Sequence, residues 1–195
     1  MICVTLITLS VISCGTNPGS IDQINSYIND PDNGLTHKVS QGTTEARLTY
    51  RPSDFFLIQE TKEASSREES DRIKQKYRDL DYFLLDLSVN DQSALYTSGS
   101  SYSRFSTNLN TLSYKLNDFA YIITSGGETI KVLDSIFPRT YGMSPSVQIL
   151  FAFKNTGYAK SDWIEFHLDE FGLNTGNLRF RFDMEDINET PKMSS

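Results

Sequence analysis

The chain has 195 residues, a formal net charge of −7 and a pI near 4.8. Its 38% hydrophobic and 12% aromatic content is that of a globular protein rather than a disordered one. The acidic balance argues against a nucleic-acid partner, which needs a basic surface, and against electrostatic attachment to anionic lipid. We therefore expect one domain of ordinary size.

The first thirteen residues carry no charged side chain and are largely aliphatic. This run is shorter than the roughly 20 apolar residues that span a bilayer, but it has the pattern of an export signal. Its last residues, Val11-Ile12-Ser13-Cys14, resemble the lipobox of bacterial lipoproteins. The resemblance implies that residues 1–13 are a signal peptide and that lipid on Cys14 anchors the mature chain in a membrane. A buried N-terminal strand is the alternative, since Val, Ile and Thr favour strands.

The anchor carries two further expectations. Gly15 replaces the Asp that marks inner-membrane retention in many Gram-negative bacteria, so we expect the outer membrane, without assigning one of its faces. Cys3 leaves with the signal and Cys14 is acylated, which leaves no thiol for a disulfide, a nucleophile or a zinc site.

Residues that break regular structure dominate the stretch after Cys14. We predict a flexible tether over residues 14–34. One globular domain is expected over 35–190, followed by a tail over 191–195.

Alternating apolar residues predict strands over 45–50 and 82–89. The short apolar run 55–58 fits a strand or a helical turn equally well. Charged helix formers over 62–80 predict one helix that packs through its second half. Ser, Thr, Gly and Tyr dominate 93–106, which predicts a loop.

From Phe105 to Phe119 apolar residues recur at spacings of four and three, which predicts an amphipathic helix. Apolar runs on both sides of Gly126-Gly127 predict a tight hairpin. Alternating stretches over 147–153, 164–168 and 178–184 predict an antiparallel meander with one buried face. The expected fold is β-rich α+β, an antiparallel sheet or sandwich with one or two packed helices.

Few side chains are candidates for chemistry. His167, beside Glu165 and Asp169, fits a metal or acid–base site completed by Asp183 of the next strand. We favour the alternative, an exposed strand face on which these charges pair with those of two arginines, Arg179 and Arg181. The loop 169–177 has oxygen ligands for calcium but lacks EF-hand spacing, and a hairpin loop explains the same residues. We expect no catalytic residue, metal or cofactor.

The loops are rich in aromatic residues, which serve as binding anchors in many proteins. They offer a surface for a glycan or a peptide; the alternative is that the rings close the rims of the core. These residues are Tyr96, Tyr102, Tyr121, Tyr141, Tyr158 and Trp163.

Several segments resemble uncharacterised lipoproteins of Bacteroidetes-type bacteria. They are Leu48-Thr-Tyr-Arg-Pro-Ser-Asp-Phe-Phe, Gly126-Gly-Glu-Thr-Ile, Tyr141-Gly-Met-Ser-Pro, Ile149-Leu-Phe-Ala-Phe and Phe182-Asp-Met-Glu-Asp-Ile. The resemblance implies no known activity, but Asp134-Ser135-Ile136 is similar to the O-glycosylation motif of those bacteria, with Ser135 as the acceptor. We expect a non-catalytic envelope lipoprotein with a structural or protein-interaction role and an envelope protein as partner. A glycan- or peptide-binding lipoprotein is the alternative, and a hydrolase is a distant third.

Overall fold

A computed structural model describes residues 21–98, 101–139 and 143–191. Within these ranges the chain forms two antiparallel sheets and six α-helices, so the predicted β-rich α+β fold is confirmed. The helices are α1 (Ile21–Asn29), α2 (Asp54–Glu63), α3 (Arg67–Tyr77), α4 (Ala94–Thr97), α5 (Tyr102–Tyr114) and α6 (Met184–Glu189). The strands are β1 (Thr36–Gln41), β2 (Thr44–Pro52), β3 (Leu80–Val89), β4 (Gln92–Ser93), β5 (Ala120–Thr124), β6 (Thr129–Lys131), β7 (Asp134–Ile136), β8 (Val147–Lys154), β9 (Trp163–Leu168) and β10 (Leu178–Asp183).

The first sheet has the strand order β1-β2-β3-β8-β7, with β4 paired to β3. The second has the order β10-β9-β5-β6 and contains the predicted hairpin between β5 and β6. The predicted meander of the last three long strands is wrong. β8 pairs with β3 and β7 in the first sheet, whereas β9 and β10 pair with each other in the second. Alternation shows which face of a strand is buried, but it does not identify the neighbouring strand.

The two sheets bury their facing sides in one core. Phe83 on β3 is fully buried, and its ring centroid lies 6.0 Å from that of Phe166 on β9 and 5.3 Å from that of Phe182 on β10. Burial of each such ring contributes about 1.5–3 kcal/mol to the free energy of folding. Packing between the sheets therefore holds the domain together.

The prediction that the flexible tether continues to Gly34 differs from the structure. Residues 21–29 form α1, and its Ile24 and Ile28 are 0% exposed within the main core. A short 3-10 helix follows and ends at Gly34, whose φ of +66° is readily adopted by glycine. Isoleucines three and seven residues after Ile21 place one apolar face of α1 on the core. Residues 14–20 of the predicted tether lie outside the described ranges.

The single helix predicted over 62–80 is not continuous: Glu63 ends α2, α3 covers Arg67–Tyr77, and Leu80 already belongs to β3. Extended backbone at Ala64 and Ser66 separates α2 from α3. The Ser66 hydroxyl accepts a hydrogen bond from the Glu69 N–H, while the Glu69 carboxylate accepts one from the Ser65 N–H. This reciprocal capping starts α3 and explains the break. The apolar run 55–58 belongs to α2 and is therefore helical.

The loop predicted over 93–106 contains α4 and the first residues of α5. Ser101 begins α5 by accepting a hydrogen bond from the Arg104 N–H, so the helix starts three residues before Phe105. At 13 residues α5 is the longest helix in the described part of the chain. None of the helices described there is long and apolar enough to cross a membrane.

Candidate functional site

A large cavity lies between the α2–α3 pair and the outer face of the first sheet. It has a volume of about 590 Å³, and we call it the hairpin groove. Ligand pockets are typically 300–1,000 Å³ and mostly apolar, with a few polar groups that orient the ligand. Its apolar lining comes from five segments of the chain and includes Phe56, Tyr82, Leu133, Ile136, Leu150 and Ala152.

Aromatic rings from both helices and the sheet form one wall of the hairpin groove. The Phe56 ring lies 4.5 Å from the Tyr82 ring and stacks on Tyr77 at 6.2 Å, between centroids. Tyr77, Tyr82 and Ala152 form a second buried cluster, separate from the main core. Leu150 and Phe56 pack on this cluster. The helical pair is thus held on the sheet by a small apolar contact beside an open cavity.

The polar end of the groove consists of Glu60, Lys76 and Tyr77. The Glu60 carboxylate accepts hydrogen bonds from Lys76 Nζ at 2.9 Å and from the Tyr77 hydroxyl at 2.5 Å. These two bonds lower the pKa of Glu60, and the bond to Glu60 raises the pKa of Lys76. Burial and the bond to Glu60 raise the pKa of Tyr77 to about 12. The polar end therefore carries one positive and one negative charge near neutral pH.

The opposite rim of the groove is β7 and the residue before it. Leu133 is 49% exposed and Ile136 is 55% exposed, although both are large apolar side chains. Ile136 lies opposite Leu150 on β8, which continues the apolar surface across the sheet. A molecule with an apolar body and one polar end matches this arrangement.

A second polar cluster, which the sequence did not indicate, lies between β2, β3 and the segment after β8. Asp81 is 6% exposed and accepts hydrogen bonds from the hydroxyls of Tyr50 and Tyr158, each at 3.0 Å. Burial raises the pKa of Asp81 more than these hydrogen bonds lower it. Burial also raises the pKa of both tyrosines. The cluster borders a cavity of about 280 Å³.

The exposed face predicted around His167 is wrong in one respect, because His167 is only 5% exposed. Its Nε2 lies 2.5 Å from the Glu165 carboxylate, and its ring stacks on Tyr121 at 4.9 Å between centroids. The expected cross-strand neighbours are present, with Arg179 opposite His167 and Arg181 opposite Glu165.

Asp183, the acid predicted to complete a site at His167, lies elsewhere on the strand, opposite Trp163. His37 of β1 is also engaged, with Nε2 2.9 Å from the Gly34 carbonyl oxygen and its ring 4.6 Å from that of Phe182. Within residues 21–98, 101–139 and 143–191 no three His, Cys, Asp or Glu side chains are grouped so as to hold a metal ion.

The loop considered for calcium is organised around its own carboxylate. Glu170 accepts hydrogen bonds from the N–H groups of Gly172 at 2.6 Å, Asn174 at 3.0 Å and Gly176 at 2.7 Å. Burial raises the pKa of Glu170, but these backbone bonds outweigh it and hold the pKa below its usual value. The carboxylate thus fixes the loop as an internal hydrogen-bond acceptor.

Three of the aromatic residues considered as binding anchors already have partners. Tyr158 is 1% exposed within the core. The Arg181 guanidinium carbon lies 4.1 Å from the centroid of the Trp163 ring, and Tyr121 stacks on His167. These contacts occupy ring faces on which a sugar would stack.

Two of the remaining aromatic candidates are exposed. Tyr96 on α4 is 45% exposed and Tyr102 at the start of α5 is 87% exposed. Tyr141 lies outside the described residues, as does Cys14. Ser135, the glycosylation candidate, lies half-buried on β7 opposite Phe151.

Comparisons with known proteins give no functional assignment. No family model and no curated protein matches the chain. The chain is similar to a solved protein of unknown function from Burkholderia pseudomallei, with 8% identity, a TM-score of 0.41 and coverage of 87% of this chain and 86% of that one. It is also similar to a DUF4426 family protein from Pseudomonas aeruginosa, with 8% identity, a TM-score of 0.38 and coverage of 76% and 92%.

Proposed function

We propose that this chain is an envelope lipoprotein, anchored in the outer membrane by lipid on Cys14, whose domain binds a ligand without catalysis. The observation that carries the binding role is the hairpin groove, with its apolar body and the polar end at Glu60, Lys76 and Tyr77. Leu133 and Ile136 expose apolar surface at the mouth of this groove, and exposed apolar surface of this kind is typical of binding sites for apolar ligands.

The anchor is tested by metabolic labelling of the bacterium with an alkyne analogue of palmitate. We expect Cys14→Ala to lose the label, because the lipidated thiol is gone, whereas the matched control Cys3→Ala keeps it. Labelling of the Cys14→Ala chain would show that the proposed anchor is wrong.

The binding role is tested by purifying the protein from envelopes and identifying co-purified small molecules by mass spectrometry. Ile136→Asp places a charge at the groove mouth, whereas Met143→Asp changes a residue that is 85% exposed and does not line the groove. We expect a compound that accompanies the parent and Met143→Asp but is lost in Ile136→Asp. No difference between the two variants would contradict the role of the groove.

An interaction with an envelope protein is the second candidate, and exposed rings on α5 favour it. Tyr102 and Tyr114 are 87% and 76% exposed, and tyrosine is a frequent anchor of protein interfaces. Cross-linking in intact envelopes tests this role. A cross-linked partner that Tyr102→Ser and Tyr114→Ser abolish, and that Ile136→Asp leaves unchanged, would favour this role over the groove.

A further inference from the structure

We propose that the hairpin groove binds the acyl chain of a membrane lipid whose head group is zwitterionic. This inference rests on the proposed function, because the anchor on Cys14 decides which apolar ligand the groove meets. Three observations carry it: the form of the groove, the short stretch of chain between the anchor and the domain, and the charges at the polar end and on the rim of the groove.

The form of the groove suits a chain with a single polar end. Aromatic and aliphatic side chains line it from Phe56 to Ile136, with the Glu60–Lys76 pair at one end and Asp134 on the rim. Burying apolar surface gives roughly 25 cal/mol per Å², so a long alkyl chain gains most from such a site.

The distance between the folded domain and the bilayer is limited by the short stretch of chain that follows Cys14. Because α1 begins at Ile21 and is packed into the core, only residues 15–20 separate the anchored cysteine from the folded domain. Even fully extended, the span from Cys14 to Ile21 is at most about 25 Å. The anchor therefore keeps the domain beside the head groups of a bilayer whose lipids carry acyl chains, at high effective concentration.

The charges decide which head group fits. Lys76 and Glu60 offer one positive and one negative group, 60% and 40% exposed. A zwitterionic head complements both, whereas an anionic head would lie near Glu60 and meet Asp134 at the rim, in a chain with a net charge of −7. The lipid that fits therefore has a zwitterionic head.

Calorimetric titration of the full chain carrying Cys14→Ala tests the inference, because this protein has no acyl group of its own. The probe is 1-palmitoyl-lysophosphatidylcholine below its critical micelle concentration. We expect saturable binding, no binding of glycerophosphocholine, which is the head without the chain, and at least fivefold weaker binding of 1-palmitoyl-lysophosphatidylglycerol.

Groove variants in the same background locate the binding. Ile136→Asp and Leu133→Asp each change a half-exposed side chain, so the fold is retained, and each should weaken binding at least tenfold. The control Met143→Asp should bind as the parent does. Residues 1–13 are present in every variant, so binding to that apolar segment cancels in the comparison.

Two results would overturn the inference: no saturable binding by the parent, or equal affinity in Ile136→Asp and Met143→Asp. Neither result concerns the anchor, which the palmitate labelling measures in a chain that retains Cys14. Failure of the groove inference and failure of the proposed anchor are therefore distinguishable.

Discussion

Two carboxylates of this domain accept hydrogen bonds from tyrosine hydroxyls, yet their pKa values move in opposite directions. Asp81 is buried between Tyr50 and Tyr158, and the loss of solvent raises its pKa. Glu60 at the hairpin groove is partly exposed, and its bonds to Tyr77 and Lys76 lower its pKa.

The difference lies in solvent access and in the second partner. No cation forms an ion pair with Asp81 in the part of the chain that the structure describes, so only hydrogen bonds from Tyr158, Tyr50 and Asn155 offset the cost of burying its charge. The Glu60 side chain is 40% exposed to solvent and also forms an ion pair with Lys76. The Asp81 cluster is thus built for structure, whereas the Glu60 pair remains accessible to a ligand.

Asp81→Ala should give the largest effect. It leaves the buried hydroxyls of Tyr50 and Tyr158 without an acceptor, and an unsatisfied buried group costs about 1–3 kcal/mol. We expect a loss of about 3 kcal/mol in the free energy of unfolding, measured by urea denaturation at pH 7. The control Asp81→Asn retains an acceptor and should lose less; a fully stable Asp81→Ala would show that the cluster is not structural.

Removing one tyrosine hydroxyl from each cluster should lower the free energy of unfolding by less than Asp81→Ala does, and the loss should be larger at the Asp81 cluster than at Glu60. Tyr158→Phe deletes a donor to buried Asp81 and should cost about 1–2 kcal/mol. Tyr77→Phe deletes a donor to partly exposed Glu60 and should cost less than about 1 kcal/mol, since water replaces the bond. Urea denaturation of both variants measures the difference, and equal costs would contradict the contrast in burial.

The pH dependence of stability should differ in sign between the two carboxylates. The folded-state pKa of Asp81 is raised, so its contribution is fully present below its unfolded value near 3.8 and is lost as pH rises through the folded-state pKa. The pKa of Glu60 is lowered, so its contribution to stability has the opposite pH dependence. That contribution is present above the unfolded pKa of about 4.5 and is lost as pH falls through the lowered folded-state pKa. Each pKa unit corresponds to about 1.4 kcal/mol for a fully buried group, and to less for exposed Glu60.

Urea denaturation from pH 3 to 8 measures this dependence. The free energy of unfolding of the parent minus that of Asp81→Asn should fall as pH rises. The free energy of unfolding of the parent minus that of Glu60→Gln should increase as pH rises. The same sign for both differences would refute the assignment of opposite shifts.

Lys76→Met should have the smallest effect on stability. The Glu60–Lys76 pair is surface exposed, and such pairs contribute about 0–1 kcal/mol, with screening by salt. We expect a loss below about 0.5 kcal/mol that disappears at 1 M salt. A loss that salt does not change would indicate that Lys76 stabilises the domain through its alkyl chain.

Many strands and helices were predictable because the residue pattern within a single segment identifies them. Phe83, Leu85 and Leu87 alternate on β3, and that pattern alone identifies a strand with one buried face. The pairing of β8 was not predictable, since its alternation is like that of β9 although the two strands belong to different sheets. Helix α1 was missed because only its isoleucines indicate it, among residues typical of loops.

The hairpin groove was not predictable from the sequence. Its lining comes from α2, α3, β3, β8 and the β7 segment, and no one of these shows more than two or three of the residues. Glu60 and Lys76 are 16 positions apart in a charged region where most side chains are simply solvated. Glu60 and Lys76 come into contact only because the chain turns before Ser66, so that α3 packs back against α2.

The contact between His37 on β1 and Phe182 on β10 has a consequence for the order of events during synthesis. The first strand of the domain meets its last strand, so the early segments leave the ribosome long before their packing partner exists. The cooperative core is completed only after nearly the whole chain has been translated. Until then, the growing chain exposes apolar strands and depends on being kept from aggregation.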